Sequence, residues 1–99
     1  MKYFYHATTV DKFTQIMIDG KIKTGFDGII YLAETQQDAL KFIALRAFGE
    51  PIIVLEIEVP DPNKVEETFD HSYSFFKCRS FGYPKSISTD FIVNAYRYE

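Results

Sequence analysis

The chain has 99 residues, which is enough for one hydrophobic core and too few for two, so we expect a single domain over residues 1–99. Hydrophobic residues make up 46% of the chain and aromatic residues 17%, which excludes an intrinsically disordered protein. A net charge of −3 excludes the strongly basic class of proteins that bind duplex DNA stably.

The cysteine content and the amino-terminal residues indicate the cellular compartment. Cys78 is the sole cysteine, so the chain cannot form an internal disulfide and does not resemble a small secreted domain. Residues 1–5 lead into a strand pattern without the basic and apolar regions of a signal peptide, and no apolar run reaches membrane-spanning length. We therefore expect a soluble, cytoplasmic protein without a membrane partner.

The first strand and the first helix are predicted from an aromatic run and a capping signal. Residues 2–6 have strand character, and the small residues at 7–9 suit a turn. Thr8 and Asp11 approximate a capping box, and Gly20 supplies a stop signal. Between them, apolar residues recur at helical spacing, namely Val10, Phe13, Ile16 and Met17.

The next predicted elements are a short strand, a turn, another strand and a second helix. The first three of these are predicted at residues 21–23, 25–28 and 29–32. Thr35 and Asp38 repeat the capping signal, and an apolar stripe then continues to Gly49. The second helix is therefore predicted over residues 36–48.

The remaining chain is predicted to contain two strands separated by an irregular segment. Residues 51–59 alternate between apolar positions and a face that turns acidic at Glu56 and Glu58, so one face should be buried. Residues 64–83 are poorly periodic, and residues 91–98 form a closing strand. Because helices and strands do not alternate regularly, we expect an α+β fold with a mixed, largely antiparallel sheet and two helices.

Common signatures of phosphate binding and of metal catalysis are absent from the sequence. There is no P-loop, Rossmann glycine pattern, CxxC or HExxH, and the two histidines lack ligand spacing, so no metal site is predicted. A nucleophile with its base could be drawn from Asp70, His71, Ser72 and Cys78, but no spacing rule supports it and loops often carry such residues. A small basic stretch, which could meet phosphates or lie in a solvated loop, comprises Lys77, Arg79 and Lys85.

Four positions combine in an order that is more specific than any one of them alone. His6 ends the first strand in YHAT, Tyr31 lies in IYLA, Phe42 follows eleven residues after Tyr31, and Asp90 directly precedes FIV. This order resembles the ADP-ribosyltransferases of the branch that includes diphtheria-like toxins and poly-ADP-ribose polymerases, which carry His-Gly-Ser/Thr, Tyr-aromatic-Ala and an acid before the closing strand. The likeness extends over nearly the whole chain and implies an ADP-ribosyltransferase-like fold with NAD as substrate.

The resemblance implies a binding role for five residues. The flat, cationic nicotinamide of NAD would stack between Tyr31 and Phe42. His6 would hydrogen-bond a ribose hydroxyl, while Thr8 and the backbone of Ala7 would fix the ribose and the carboxamide.

The proposed catalytic acid is Asp90, assisted by His6. Its carboxylate would stabilise the oxocarbenium-like sugar that forms when nicotinamide leaves, and would orient or deprotonate an acceptor. Two positions depart from the family pattern. Asp90 is one methylene shorter than the usual Glu, and Ala7 replaces a Gly and adds a methyl group where the backbone should approach nicotinamide.

The sequence leaves several functions open. The leading hypothesis is transfer of ADP-ribose from NAD to a protein or nucleic-acid acceptor, in a compact toxin, defence or counter-defence effector. An RNA 2′-phosphotransferase-like enzyme is an alternative, because residues 53–57 are similar to a strand of those NAD-consuming enzymes, but the weak basic character argues against it. The third is a catalytically silent module that binds a nucleotide or a protein.

Each site residue also has a structural alternative: a hydrogen-bonded His6, core aromatics at Tyr31 and Phe42, and a turn residue at Asp90.

Overall fold

A computed structural model describes residues 3–25, 27–44, 49–68 and 80–98 of the chain. These residues contain two α-helices, α1 (Val10–Asp19) and α2 (Gln36–Ala44). They also contain eight strands: β1 (Tyr3–Thr9), β2 (Lys21–Ile22), β3 (Ile30–Ala33), β4 (Ile52–Glu58), β5 (Glu66–Thr68), β6 (Ser80–Tyr83), β7 (Ile87–Ser88) and β8 (Ile92–Tyr98). All the described pairings are antiparallel, which confirms the predicted α+β class with a largely antiparallel sheet and two helices.

The main sheet has the strand order β5-β6-β3-β1-β4-β8, and the helices cover its two faces. Along β4, Ile53, Leu55 and Ile57 belong to a first core cluster, against which the Val10, Phe13 and Ile16 side chains of α1 pack. Neighbouring positions of a strand face opposite sides, so Ile52 and Val54 join Ala33 and Ala39 of α2 in a second core cluster. The prediction of one buried face for β4 is therefore wrong over its first half, because each face is covered by a different helix.

The ends of α1 follow from two residues that satisfy terminal backbone groups. Thr9 accepts a hydrogen bond from the Lys12 backbone N–H (3.2 Å), and Gly20 at φ 76° donates its N–H to Ile16 (2.9 Å). The predicted stop at Gly20 is confirmed. The predicted turn at residues 7–9 is wrong, since β1 continues through Thr9, and the cap is Thr9 rather than the buried Thr8. The prediction that Met17 belongs to the apolar stripe is wrong, because its side chain is 52% exposed and does not pack against the core with Val10, Phe13 and Ile16.

The predicted cap of α2 is confirmed as well, because Thr35 accepts a hydrogen bond from the Asp38 backbone N–H (3.1 Å). The predicted end of this helix falls in residues 45–48, which lie outside the described residues. Neither α1 nor α2 is long and apolar enough to cross a lipid bilayer.

The sheet opens between its two middle strands. Strand β1 pairs with β4 along its full length, from Tyr3 to Thr9, and β3 pairs with β6 along all four of its residues. By contrast, β1 and β3 pair only at Tyr5 and Ala33. The two strands therefore diverge beyond this pair, and the divergence creates a space that side chains must fill.

A small second sheet ties the end of α1 to the chain before β8. Lys21 and Ile22 of β2 pair with Ser88 and Ile87 of β7. A 3₁₀ turn over Thr89–Phe91 follows, in which the Thr89 backbone N–H donates to the Gly20 carbonyl (3.0 Å). The closing strand β8 therefore begins one residue later than predicted.

Candidate functional site

A cavity of about 420 Å³ lies where β1 and β3 diverge, between α1 and α2. Its walls come from β1, α1, the β2 region, β3 and α2, so elements from both sides of the split contribute to it. The buried residues of the wall are the apolar Ile22, Ile30 and Ala39 and the polar Thr8. An apolar interior with a few converging polar groups is the common form of a small-molecule site.

His6 crosses the split between the strands. Its ring nitrogen Nδ1 lies 2.9 Å from the carbonyl oxygen of Tyr31, so a side chain replaces the backbone bond that a continuous ladder would have. A carbonyl oxygen only accepts, hence Nδ1 must carry the proton. In the neutral ring, Nε2 is then a hydrogen-bond acceptor. His6 also lines the cavity.

Tyr31 lines the same cavity and is held at its hydroxyl end. The hydroxyl donates to Asp27 Oδ2 (2.6 Å), and the other oxygen of Asp27 accepts from the Ile29 backbone N–H (3.1 Å). The hydrogen bond from Tyr31, with a smaller contribution from the Ile29 N–H, lowers the pKa of Asp27 below its usual value. Asp27 lies in a turn that closes through Gly28 at φ 78°, a conformation that favours glycine. The predicted turn at residues 25–28 thus positions the tyrosine.

Ala7 and Thr8 also line the cavity. Thr8 is 3% exposed, and the half-buried Ala7 packs against the second core cluster. The methyl group that distinguishes Ala7 from a glycine is therefore in contact with apolar core residues.

The proposed stacking partner Phe42 lies in α2, but its side chain is outside the described residues. Among the side chains of α2 that the structure describes, those of Ala39 and Ile43 line the cavity. The alternative nucleophile at residues 70–72 and Cys78 also falls outside the described residues, as do Lys77 and Arg79.

Asp90 is exposed and does not line the cavity. It sits in the 3₁₀ turn before β8, where its backbone N–H donates to the Ser88 hydroxyl (3.2 Å). The preceding residue, Thr89, is bonded to Gly20 through both its backbone N–H (3.0 Å) and its hydroxyl (3.3 Å). The structure therefore brings His6, Ala7, Thr8 and Tyr31 together and leaves Asp90 on the adjoining turn.

Sequence reasoning missed the charged residues of the cavity wall. Lys12 of α1 and Lys21 and Lys23 of the β2 region are exposed there beside Asp19. Asp19 accepts a hydrogen bond from Gln15 Nε2 (3.0 Å) and forms an ion pair with Lys23 Nζ (3.2 Å). Both contacts lower the pKa of Asp19, and the hydrogen bond from Gln15 has the larger effect. The alternation of Lys21, the buried Ile22 and Lys23 was a signal for two outward-facing lysines.

A second polar cluster surrounds Glu56 of β4. Its carboxylate accepts hydrogen bonds from Asn94 (2.9 Å), Tyr96 (3.1 Å) and Tyr5 (3.2 Å). These donors, Asn94 foremost, lower the pKa of Glu56, while burial, followed by Glu56 itself, raises the pKa of Tyr5. Three donors from the neighbouring strands give Glu56 a structural role in holding β1, β4 and β8 together.

Within residues 3–25, 27–44, 49–68 and 80–98, no three His, Cys, Asp or Glu side chains are grouped as metal ligands would be.

Comparison with known proteins identifies a shared fold. The sequence matches no protein-family model and no curated protein. Over 99% of its length the chain is similar in fold to a crystal structure of protein CC0527 from Caulobacter crescentus, with a TM-score of 0.72, 12% identity and 87% of that chain covered. A double mutant of the same protein matches over the same shares, with a TM-score of 0.72 and 13% identity. Identity this low concerns the fold alone and carries no activity to this chain.

Proposed function

We propose that this chain binds NAD in the cavity between α1 and α2 and transfers ADP-ribose to an acceptor. The observation that carries the proposal is the meeting of His6 and Tyr31 at the cavity, with 2.9 Å between the His6 ring nitrogen and the Tyr31 carbonyl oxygen. These two residues come from the motifs that resemble ADP-ribosyltransferases, and they lie 25 positions apart in the chain.

The binding step uses groups whose orientation the fold already fixes. The Tyr31 ring, held through its hydroxyl by Asp27, would offer a face to the cationic nicotinamide. The Nε2 atom of His6 would accept a hydrogen bond from a ribose hydroxyl, because Nδ1 carries the proton that bonds Tyr31. Both groups are preorganised, so little side-chain freedom is lost when the ligand binds.

The transfer step would break the bond between the ribose C1′ and the nicotinamide nitrogen, and the electron pair would leave with neutral nicotinamide. The acceptor nucleophile would then bond to C1′ and release its proton to a base. A carboxylate stabilises the positive charge that develops on the sugar. Asp90 is our candidate for that carboxylate, since its turn is bonded to the Gly20 carbonyl beside Lys21 of the cavity wall.

A catalytically silent nucleotide-binding module is the second candidate. It is favoured by one observation, namely that Asp90 is not part of the cavity wall. A chain that binds NAD through His6 and Tyr31 but cannot bring an acid to the sugar would bind without transferring.

Calorimetry with NAD tests the binding step. We expect Tyr31→Ala to weaken NAD binding by about 2- to 30-fold, which corresponds to the roughly 0.5–2 kcal/mol of a cation–π contact. The matched control is Tyr3→Ala, which removes an exposed tyrosine outside the cavity. Failure of the parent to bind NAD, or equal affinities for the two variants, would refute the proposal. Nicotinamide release with candidate acceptors then separates a transferase from a silent module.

A further inference from the structure

Most of the basic residues that the structure describes lie on one part of the surface of this acidic chain. Two adjoining depressions, the cavity and a second groove of about 510 Å³, share Lys21 in their walls. Seven basic residues are described, and five of them line these depressions: Lys12, Lys21, Lys23, Lys64 and Lys85. The other two are Lys41 on α2 and Arg97 on β8.

Few of the described acidic residues line the two depressions, although the exposed Asp90 directly precedes Phe91 of the second groove. Although acidic residues outnumber basic ones 14 to 11 in the whole chain, Asp19 and Asp61 are the acidic residues described in the walls of the two depressions. Asp19 is already engaged by Lys23 and Gln15. Lysines clustered in this way create a local positive potential on a protein whose net charge is −3.

The second groove, which we call the lysine groove, combines charge with an exposed aromatic ring. Lys21, Lys64 and Lys85 line it together with Ser86, Ser88 and Phe91. Phe91 is 37% exposed, although a large apolar side chain gains by burial. Lysines for phosphates and an aromatic ring for a base are the two elements by which proteins hold single-stranded nucleic acid.

We propose that the lysine groove binds a single strand of nucleic acid. Three lysines can neutralise a few phosphates of a flexible strand, whereas stable duplex binding takes on the order of 6–10 phosphate contacts. The Phe91 ring provides a surface on which one base can stack. A strand that passes Lys21 reaches the cavity, so this strand is the acceptor of ADP-ribose, a step that rests on the proposed function.

The test is fluorescence anisotropy of a labelled single-stranded oligonucleotide of about ten nucleotides, titrated at several salt concentrations. For the double variant Lys64→Gln, Lys85→Gln we expect weaker binding and a salt slope smaller by about 1.4, since each lost phosphate contact contributes about 0.7 on a single strand. Phe91→Ala should weaken binding by about tenfold and leave the salt slope unchanged, because it removes stacking and no charge.

The matched control is the double variant Lys41→Gln, Arg97→Gln, which removes the same charge outside both depressions. Equal losses in the two double variants would mean that binding follows net charge, and this would overturn the proposal. It is also overturned if the parent does not bind the oligonucleotide at low salt, or if a duplex or a glutamate-rich peptide competes equally well. Circular dichroism confirms that each variant is folded.

NAD calorimetry on the same variants separates this inference from the proposed function. We expect the variant that lacks Lys64 and Lys85 to bind NAD like the parent, since neither residue lines the cavity. Lysine-dependent binding of the strand without NAD binding would remove the proposed function alone. NAD binding without strand binding would remove the lysine groove alone.

Discussion

The Tyr31 hydroxyl donates a hydrogen bond to the Asp27 carboxylate across 2.6 Å, so a ring of the cavity wall is fixed by the turn that precedes its own strand. The same carboxylate accepts the Ile29 backbone N–H, and the turn and the strand therefore share one anchor.

The first prediction concerns pH. The hydrogen bonds from Tyr31 and Ile29 lower the pKa of Asp27 below its usual 3.8, so the bonded carboxylate stabilises the fold above that pH. This contribution is lost as the pH falls through the lowered pKa. Asp27→Asn should therefore be less stable than the parent at pH 7, and the difference should shrink below pH 3.8. Urea unfolding at pH 7 and pH 3 measures this, with the exposed Glu50→Gln as control; a constant difference would contradict it.

The second prediction separates the structural role of His6 from its role in binding. His6→Ala removes the part-buried hydrogen bond from Nδ1 to the Tyr31 carbonyl and should lower the free energy of unfolding by about 1–3 kcal/mol. His6→Asn can restore a donor near Nδ1 and should recover part of this stability, while both variants lack Nε2 and should lose NAD affinity. If His6→Asn binds NAD as the parent does, the histidine only bridges the strands.

The third prediction concerns the methyl group of Ala7. Ala7→Gly removes a contact with the second core cluster and loosens the strand, so we expect a loss of about 0.5–1 kcal/mol in unfolding free energy. The same change should raise the affinity for NAD, because the backbone at position 7 becomes open to close approach. The control is Ala95→Gly at an exposed position of β8, which also places a glycine in a strand but does not change the cavity wall. An unchanged or lower affinity in Ala7→Gly would mean that the methyl group is no obstacle.

The fourth prediction concerns the acid. We expect Asp90→Asn to lower nicotinamide release by about 10²- to 10³-fold with little effect on NAD affinity, since a carboxylate that acts in the transition state changes kcat more than binding. An active parent that is untouched by this substitution would remove Asp90 from the mechanism. If the parent is inactive and Asp90→Glu gains activity, the scaffold binds NAD and lacks only an acid with sufficient reach.

Local signals predicted the helices well and the strand ends less well. Gly20 ends α1 because a left-handed residue is needed there, and Thr35 caps α2, so both follow from short-range chemistry. The shift of the first cap from Thr8 to Thr9 arises because β4 pairs with β1 as far as Thr9. Such pairing depends on a partner far along the chain, which a local pattern does not contain.

Only those residues of the candidate site that lie in recognisable sequence motifs could be predicted from the sequence. Of the residues that the resemblance singled out, His6 and Tyr31 line the cavity and Asp90 does not, whereas Asp27 and the lysines of the cavity wall came from the tertiary structure. The net charge of the sequence did not predict this group of lysines, because a sum over the chain does not indicate which charged residues lie on the same surface. The position of Asp90 depends on the pairing of β2 with β7, two strands of two residues each, which are too short to leave a periodic signal.

The single β1–β3 pair at Tyr5 and Ala33 also determines how the domain can deform. It divides the main sheet into two stiff leaves, β5-β6-β3 and β1-β4-β8, each cross-braced by rows of backbone hydrogen bonds. Rotation of one leaf against the other would break little backbone bonding. It is opposed by the His6 contact, by the side chains of α2 and by the first core cluster, in which Phe4 of one leaf packs against Phe81 of the other with 5.3 Å between the ring centroids. A change in the width of the cavity would therefore disturb side-chain packing more than backbone pairing, and we expect a bulky ligand to be admitted by a hinge motion of intact leaves.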